Sequence, residues 1–322
     1  MSRWLKLIVT LALYALVFYW TDTSAIASQL SRTRLDVVFA AVLLYAAGQA
    51  VSAWRWQLLL APVALDVPYQ RMLAFYFIGM FFNLFLPTIV GGDAVKALLL
   101  TRETGATARS TMSVFMERNV GLCSLVIVAM VAAMFAPPVE LFGLSLGALT
   151  WVLALGYVAA NVVLSSPVVY RLADRLIAAT PLSRFRPRAE SLYQALVPYK
   201  RAPVSVLVGV GLSFVHQAVV IAVVFLNARA LALDVPFAAI AVFVPLVSLA
   251  GMVPVSVNGL GVREALYILL FGRIGVPAET AVSLALLYLA VTFLASLPGG
   301  LAYVMQPARA RTLTSERTAT DT

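Results

Sequence analysis

Cysteine, histidine and charged side chains are scarce in this 322-residue chain. Cys123 is the only cysteine and His216 the only histidine, so no intrachain disulfide and no thiol cluster for a metal ion can form. Only 11% of the residues are charged, whereas soluble domains carry about 25%. With a mean hydropathy of +0.95, such a chain cannot cover a soluble surface of the usual kind. These shortages indicate an integral membrane protein.

The apolar residues, 62% of the chain, run continuously over long segments. In a bilayer the backbone groups must bond within each segment, so such runs form helices. A transmembrane β-barrel would alternate apolar and polar residues instead. The sequence therefore predicts an all-α polytopic transmembrane helix bundle with about six to nine membrane segments.

The net charge of +9 comes from arginines and lysines that cluster in loops. Cytoplasmic loops of membrane proteins are enriched in these residues, so the charge predicts topology and gives no reason to expect nucleic-acid binding. We predict one membrane domain, 1–305, in which a basic cytoplasmic loop, 166–202, separates the halves 1–165 and 203–305. The segment 168–177 has the spacing of a helix on an anionic membrane surface. The tail, 306–322, is expected to be disordered and cytoplasmic.

The N-terminal run from Leu7 to Trp20 has two interpretations. A basic start and the sequence Ala25-Ile-Ala27 are typical of a cleaved signal peptide. We favour a retained first helix with a cytoplasmic N-terminus, because its many aromatic residues suit interfacial anchoring.

Two apolar segments, one in each half, are interrupted in a similar way. In 87–96 and in 254–264 a proline comes first, glycines follow and charged residues come last. Broken segments in corresponding positions of two halves point to a transporter site, and glycine lets the backbone leave the helix. We predict two re-entrant hairpins whose site residues are Gly91, Gly92, Asp93 and Lys96 in the first, and Asn258, Gly259, Gly261, Arg263 and Glu264 in the second.

The basic loop fixes the direction of the spans on either side of it. Followed outward from that loop, two re-entrant hairpins would enter from opposite faces, which is the arrangement of an inverted repeat. If the hairpins span the membrane fully instead, the topology holds only if both arms of each hairpin cross. The N-terminus of the helix after each break would favour an anion, and Arg263 has the donor geometry for phosphate. The alternative is that the charged pairs only cap helices and hold loops in place.

Four more polar residues within apolar runs are candidates for the same site. Asn83 precedes the first break, and Glu117 and Arg118 lie within a later span, where ionisable residues are costly and face a partner or a cavity. They could instead form a shallow pair at the interface. Arg55, between two tryptophans, suggests an interface anchor or a lipid-phosphate contact. His216 is either a proton relay or a neutral residue bonded to a neighbouring helix.

Three motifs occur in order along the chain: FFNLFLPT with Gly91-Gly92-Asp93 at 81–93, ERNVG at 117–121, and the stretch 254–264 with NGLG and Arg263-Glu264. Their pattern resembles a flippase-like membrane family that includes the transmembrane domain of bacterial lysylphosphatidylglycerol synthases. Lys96 stands where arginine is expected to be common in that family, and lysine binds phosphate only as a point charge. Some members of that family are fused to a synthase domain, and we expect this chain to lack one.

The resemblance implies a lipid flippase or scramblase-like transporter in the cytoplasmic membrane of a bacterium or archaeon. It would move a polar or charged head group between leaflets, with membrane lipids, a separate lipid-modifying enzyme or a second copy of the chain as partners. No nucleotide-binding pattern G-x-x-x-x-G-K-[ST] occurs, so transport would be passive or coupled to an ion or proton gradient. We expect no cofactor, and the acidic residues are too scattered to predict a metal site. The alternatives are a membrane enzyme acting on a lipid-linked substrate, and an accessory subunit of a separate lipid synthase or glycosyltransferase.

Overall fold

The computed structural model describes residues 10, 12–13, 15–17, 19, 21–85, 91–135, 140–141, 144–178, 186–251, 256 and 259–305. Nearly all of this part is helical. Its α-helices are α1 (Thr23–Ser31), α2 (Leu35–Leu58), α3 (Tyr69–Phe85), α4 (Gly91–Thr104), α5 (Thr107–Ala133), α6 (Leu146–Ser165), α7 (Pro167–Ala178), α8 (Arg186–Lys200), α9 (Pro203–Ala230), α10 (Phe237–Gly251), α11 (Val262–Gly272) and α12 (Ala278–Met305). A 3₁₀ turn, Ala61–Val63, follows α2, and a small antiparallel pair of strands, β1 (Glu140–Leu141) and β2 (Leu144–Ser145), precedes α6.

Among the described residues, five stretches are long and apolar enough to cross a bilayer: Leu35–Val63, Thr107–Ala133, Gly147–Ser165, Pro203–Ala230 and Ala278–Met305. A helix rises 1.5 Å per residue, so about 20 residues span the hydrocarbon core. Together with the shorter apolar helix α10, they form a multi-pass membrane protein. The predicted all-α bundle is confirmed.

Helices α3 and α4 form an antiparallel hairpin around the first break. Their arms cross at Gly79 and Gly92, where a Cβ built on Gly92 would lie 2.2 Å from the Gly79 carbonyl oxygen. Further from the tip, Arg71 Nε lies 3.8 Å from Glu103 Oε1. Gly79 thus contacts Gly92 and the earlier Arg71 contacts the later Glu103, so the two helices are antiparallel. Both outer ends of the hairpin therefore lie on the same side.

Helices α10 and α11 form the corresponding hairpin in the second half. A Cβ on Gly259 would lie 3.1 Å from the Gly251 carbonyl oxygen, and the Phe243 and Phe271 rings are 5.1 Å apart between centroids. Gly259 and Gly261 have φ angles of +73° and +82°, in the left-handed region that favours glycine. The chain therefore leaves the helical conformation here, as the sequence predicts.

The two halves are related as an inverted pair. The segment α2–α5 corresponds to α9–α12: each half has a long helix, a hairpin and a second long helix. The first helices, α2 and α9, pack antiparallel, since Gly48 faces Val219 and Arg55 reaches Ser213. Helix α3 packs against α12, and α10 packs in turn against α5. Each hairpin is thus held by the other half.

Two large hydrophobic clusters support this arrangement. One surrounds the first hairpin and includes Trp56, Met72 and Leu100. The other surrounds the second hairpin and includes Phe243 and Phe271. Each cluster draws on helices from both halves, so the described arms of each hairpin pack against the other half.

The basic stretch between the halves forms α7 and α8. The helix predicted at 168–177 is present as α7. Arg186 donates two hydrogen bonds to the Asp174 carboxylate, at 2.7 and 2.8 Å, and the Tyr170 and Tyr193 rings stack with centroids 3.9 Å apart. The Tyr199 hydroxyl donates to the Leu59 carbonyl oxygen at 2.7 Å, which fastens α8 to the end of α2.

Candidate functional site

Five charged side chains from three helices meet inside the first half. Glu117 on α5 accepts from Arg55 on α2 and from Lys96 on α4, whose Nζ lies 3.0 Å away. Lys96 Nζ also lies 3.0 Å from Asp93 Oδ1. Asp93 in turn accepts from Arg118, with Nη2 at 2.6 Å. We call these residues, Arg55, Asp93, Lys96, Glu117 and Arg118, the ion network.

Three cations face two carboxylates in the ion network, which leaves one positive charge in excess. Aromatic rings enclose part of the ion network: Lys96 Nζ lies 5.3 Å from the Trp56 ring centroid and 4.7 Å from the Tyr76 ring centroid. A ring face attracts a cation. Unpaired charge is very costly in a membrane interior, so the carboxylates are what allows these cations to be buried.

The second half contributes a smaller charged pair at the start of α11. Arg263 Nη2 lies 3.1 Å from Glu264 Oε1, and the Gly261 N–H donates to Glu264 Oε2 at 2.6 Å. Glu264 is fully buried. It therefore holds both the guanidinium and the unwound glycine backbone in place.

A cavity of about 200 Å³, which we call the central cavity, lies between the two halves. Asn83 and Arg118 line it from the first half, and Gly259 and Arg263 line it from the second, together with Tyr288 on α12. The Arg118 side chain is 42% exposed, so its guanidinium is open to this space. Four of the predicted site residues, two from each half, thus line one cavity.

A neighbouring cavity of about 150 Å³ lies on the other side of Arg118. Arg55, Lys96 and Glu117 line it, and so does His216 on α9. His216 Nδ1 lies 3.1 Å from Ser52 Oγ, which fits the interpretation of a histidine bonded to a neighbouring helix.

Two interpretations from the sequence need correction. Gly91 and Gly92 do not unwind the chain: they are buried in the first turn of α4, and Gly92 serves the close approach to Gly79. Arg55 is not an interface anchor, because it is 4% exposed and bonded to Glu117. Its neighbour Trp54, 47% exposed, faces outward instead.

The remaining predicted site residues are Asn83, Asn258, Glu117 and Arg118. The Asn83 side chain accepts from the Gly92 N–H at 3.4 Å, and so links the two arms of the first hairpin. Asn258 lies outside the described residues, as do 86–90, 252–255, most of the N-terminal run and the tail. Glu117 and Arg118 form no shallow pair, since Glu117 is 3% exposed and bonded to α2 and α4.

Several residues at the site carry no signal in the sequence. Tyr76 and Tyr288 are tyrosines in apolar helices, and the Ser213 hydroxyl accepts from Arg55 Nη1 at 2.7 Å. Within the part of the chain that the structure describes, no group of three or more His, Cys, Asp or Glu residues could hold a metal ion. Among the same residues, Nε of Arg55 and of Arg263 lack a hydrogen-bond partner.

Comparison with known proteins places this architecture in a family. Residues 3–299 match the model of the lysylphosphatidylglycerol synthase TM region. A UPF0104 membrane protein from Pyrococcus horikoshii is 23% identical over 139 residues. That match covers 42% of each chain, so it spans less than half of the relative's length. Because the family model covers nearly all of the sequence, the chain belongs to the lysylphosphatidylglycerol synthase TM-region family.

Proposed function

We propose that this protein is a lipid flippase or scramblase-like transporter, in which the central cavity takes the phosphate-bearing head group of a lipid. The observation that carries the proposal is the shared lining of that cavity by Arg118 and Arg263, which come from opposite halves. A head group there would meet guanidinium donors from both sides. Arginine binds phosphate through two parallel hydrogen bonds.

The charges around the central cavity suit reversible binding. Asp93 and Glu264 hold Arg118 and Arg263 when the cavity is empty. An entering phosphate competes with these carboxylates, so neither arginine is left as an unpaired charge at any stage. Reversible exchange of this kind supports passage, whereas a fully unpaired arginine pair would trap the anion.

The inverted arrangement supports transport for a geometric reason. A site between two inverted halves has equivalent routes to both leaflets, and alternating access needs only movement of one half against the other. The proposal includes a cytoplasmic membrane location with the basic α7–α8 stretch on the cytoplasmic side, as cytoplasmic loops are rich in arginine and lysine.

The test is lipid translocation in proteoliposomes. Vesicles contain a lipid with a fluorescent head group, either phosphatidylglycerol, phosphatidylethanolamine or phosphatidylcholine, and an impermeant quencher reports the outer fraction. We expect fast exposure of inner-leaflet lipid by the parent protein. Arg263→Ala should slow it at least about tenfold, since a hydrogen bond to a charged group is worth ~1.5–3 kcal/mol.

Arg34→Ala is the matched control, because Arg34 lies outside the cavity with its side chain 64% exposed. It should translocate lipid like the parent. If the parent matches empty vesicles for every lipid, with and without a proton gradient, the transporter proposal is wrong. The accessory-subunit and membrane-enzyme alternatives would then be favoured.

A further inference from the structure

A larger cavity lies on the side of the bundle, between α5, α6, α8 and α9. We call it the lateral groove. Its volume is about 410 Å³, within the ~300–1,000 Å³ range typical of ligand pockets. It shares no lining residue with the central cavity. Val158 and Val162 on one wall are 55% and 61% exposed, so the groove opens sideways to the surrounding lipid.

The walls of the lateral groove are apolar for most of its length. The side chains come from the spans α5, α6 and α9, and include Phe115, Val120, Val158, Val162, Val206 and Val210. A polar head group would lose its hydration against such walls without gaining hydrogen bonds. An acyl chain would fill them at no such cost.

The polar side chains in the groove are bonded to one another. Asn119 Nδ2 donates to Asn161 Oδ1 at 2.7 Å, and Asn161 Nδ2 donates to the Tyr157 carbonyl oxygen at 2.9 Å. The Tyr157 hydroxyl donates to the Asn119 carbonyl oxygen at 3.1 Å. These contacts tie α5 to α6 and reduce the polarity that the groove presents to an occupant.

One end of the groove is basic. Ser165 ends α6 and Lys200 ends α8, and both line the groove. Lys200 Nζ donates to the Ser165 carbonyl oxygen and lies 5.2 Å from the Tyr193 ring centroid. An ammonium group has three N–H donors, so Lys200 retains donors for an anion. Arg201 follows directly in the chain but is not among the residues that line the groove.

We propose that the lateral groove binds an anionic phospholipid, with one acyl chain along its apolar walls and the phosphate at Lys200. Charge complementarity favours this occupant. The apolar lateral groove lies between three membrane spans, and it ends at a cation at the level where we place the lipid head groups. This binding site is separate from the central cavity. It would stand even if the protein did not translocate lipid.

Cys123 provides a native reporter, because it is the only cysteine of the chain and lines the groove. The full-length protein is reconstituted in phosphatidylglycerol or in phosphatidylcholine with identical acyl chains. An uncharged, membrane-permeant maleimide then labels Cys123. We expect labelling about fivefold slower in phosphatidylglycerol, since one cation near the surface attracts an anionic lipid by ~1 kcal/mol. Lys200→Gln should abolish the difference and Arg201→Gln should largely keep it.

Two further variants separate occupancy of the groove from a general effect of the lipid on thiol labelling. Ile127→Cys with Cys123→Ser places the thiol on an exposed face of α5 outside the groove, and reports how each lipid alters reagent and thiol reactivity. Val158→Cys with Cys123→Ser gives a second reporter on the opposite wall. Equal slowing at residues 123, 127 and 158, or a difference that survives Lys200→Gln, would overturn the proposal. So would a groove whose thiols are unreactive in both lipids.

Discussion

Lys96 and Glu117 lie on different helices and bond inside the bundle, with Lys96 Nζ 3.0 Å from Glu117 Oε2 and both side chains under 10% exposed. Glu117 bonds Arg55 as well, so one carboxylate holds two buried cations. This makes Glu117 the residue on which the ion network depends.

Glu117→Ala should lower the free energy of unfolding by about 3–5 kcal/mol, because it leaves two buried cations without their shared partner. Thermal unfolding of the purified protein in detergent measures the change. Glu103→Ala is the control: its pair with Arg71 is 3.8 Å long and partly exposed, so the decrease should be under ~1 kcal/mol. Equal effects of the two substitutions would contradict the assigned role of Glu117.

Gly92→Ala should destabilise the first hairpin by about 1–3 kcal/mol or more, the usual cost of overpacking. The new Cβ would lie 2.2 Å from a backbone oxygen of the opposite arm, which cannot move independently of its helix. Unfolding midpoints provide the measurement. Gly156→Ala on α6 meets no atom within 4 Å and should be neutral or stabilising. A neutral Gly92→Ala would mean that the arms do not cross here.

Gly259→Ala and Gly275→Ala form a matched pair at the same backbone conformation. Both glycines have positive φ, +73° and +82°, so this conformation should cost each alanine about 1–2 kcal/mol in unfolding free energy. The Cβ at residue 259 adds a tight contact, 3.1 Å from the Gly251 carbonyl oxygen, whereas the one at residue 275 meets no atom within 4 Å. Only Gly259 lines the central cavity. We therefore expect Gly259→Ala alone to slow lipid translocation beyond what its stability change explains. Equal translocation by the two variants would remove Gly259 from the site.

The packing of α7 against α8 should depend on pH. Hydrogen bonds from Arg186 hold the pKa of the Asp174 carboxyl below its ordinary value. A lowered pKa means that the ion pair is stable above the ordinary Asp value of about 4 and weakens as the pH falls below it. Spin-label distances between the two helices, measured from pH 7 down to pH 3, would show the separation. In Asp174→Asn the distance should not change over this range, and helices that separate already at pH 5 would contradict the prediction.

The order of polar and apolar residues along the chain was enough to predict the class of fold. The backbone N–H and C=O groups of long uncharged runs must form hydrogen bonds within each run, which predicts helices that span the membrane. Prolines and glycines inside two of these runs marked the hairpins, because they disfavour a continuous helix. The pairing of Arg263 with Glu264 could be predicted, since the two residues are adjacent in the chain.

Partners that are distant in the chain could not be predicted in this way. Arg55 has the local sequence of an interface anchor, and only the packing of α2 against α5 turns it towards Glu117. From the sequence, Gly92 cannot be distinguished from a glycine that breaks a helix. In the structure it allows the close approach to Gly79 on the opposite arm. The tyrosines and Ser213 at the site look like ordinary residues of apolar helices.

By itself, then, the sequence determined that this is a helical membrane protein, and it predicted two inverted halves with a broken segment in each. The tertiary structure alone decided that Arg118 and Arg263 line one cavity, and that five charges from three helices join in one network. The physical reason is the separation along the chain of the residues that interact. Backbone hydrogen bonding and helix breaking act within a few residues, whereas the ion network and the cavity depend on how helices from both halves pack.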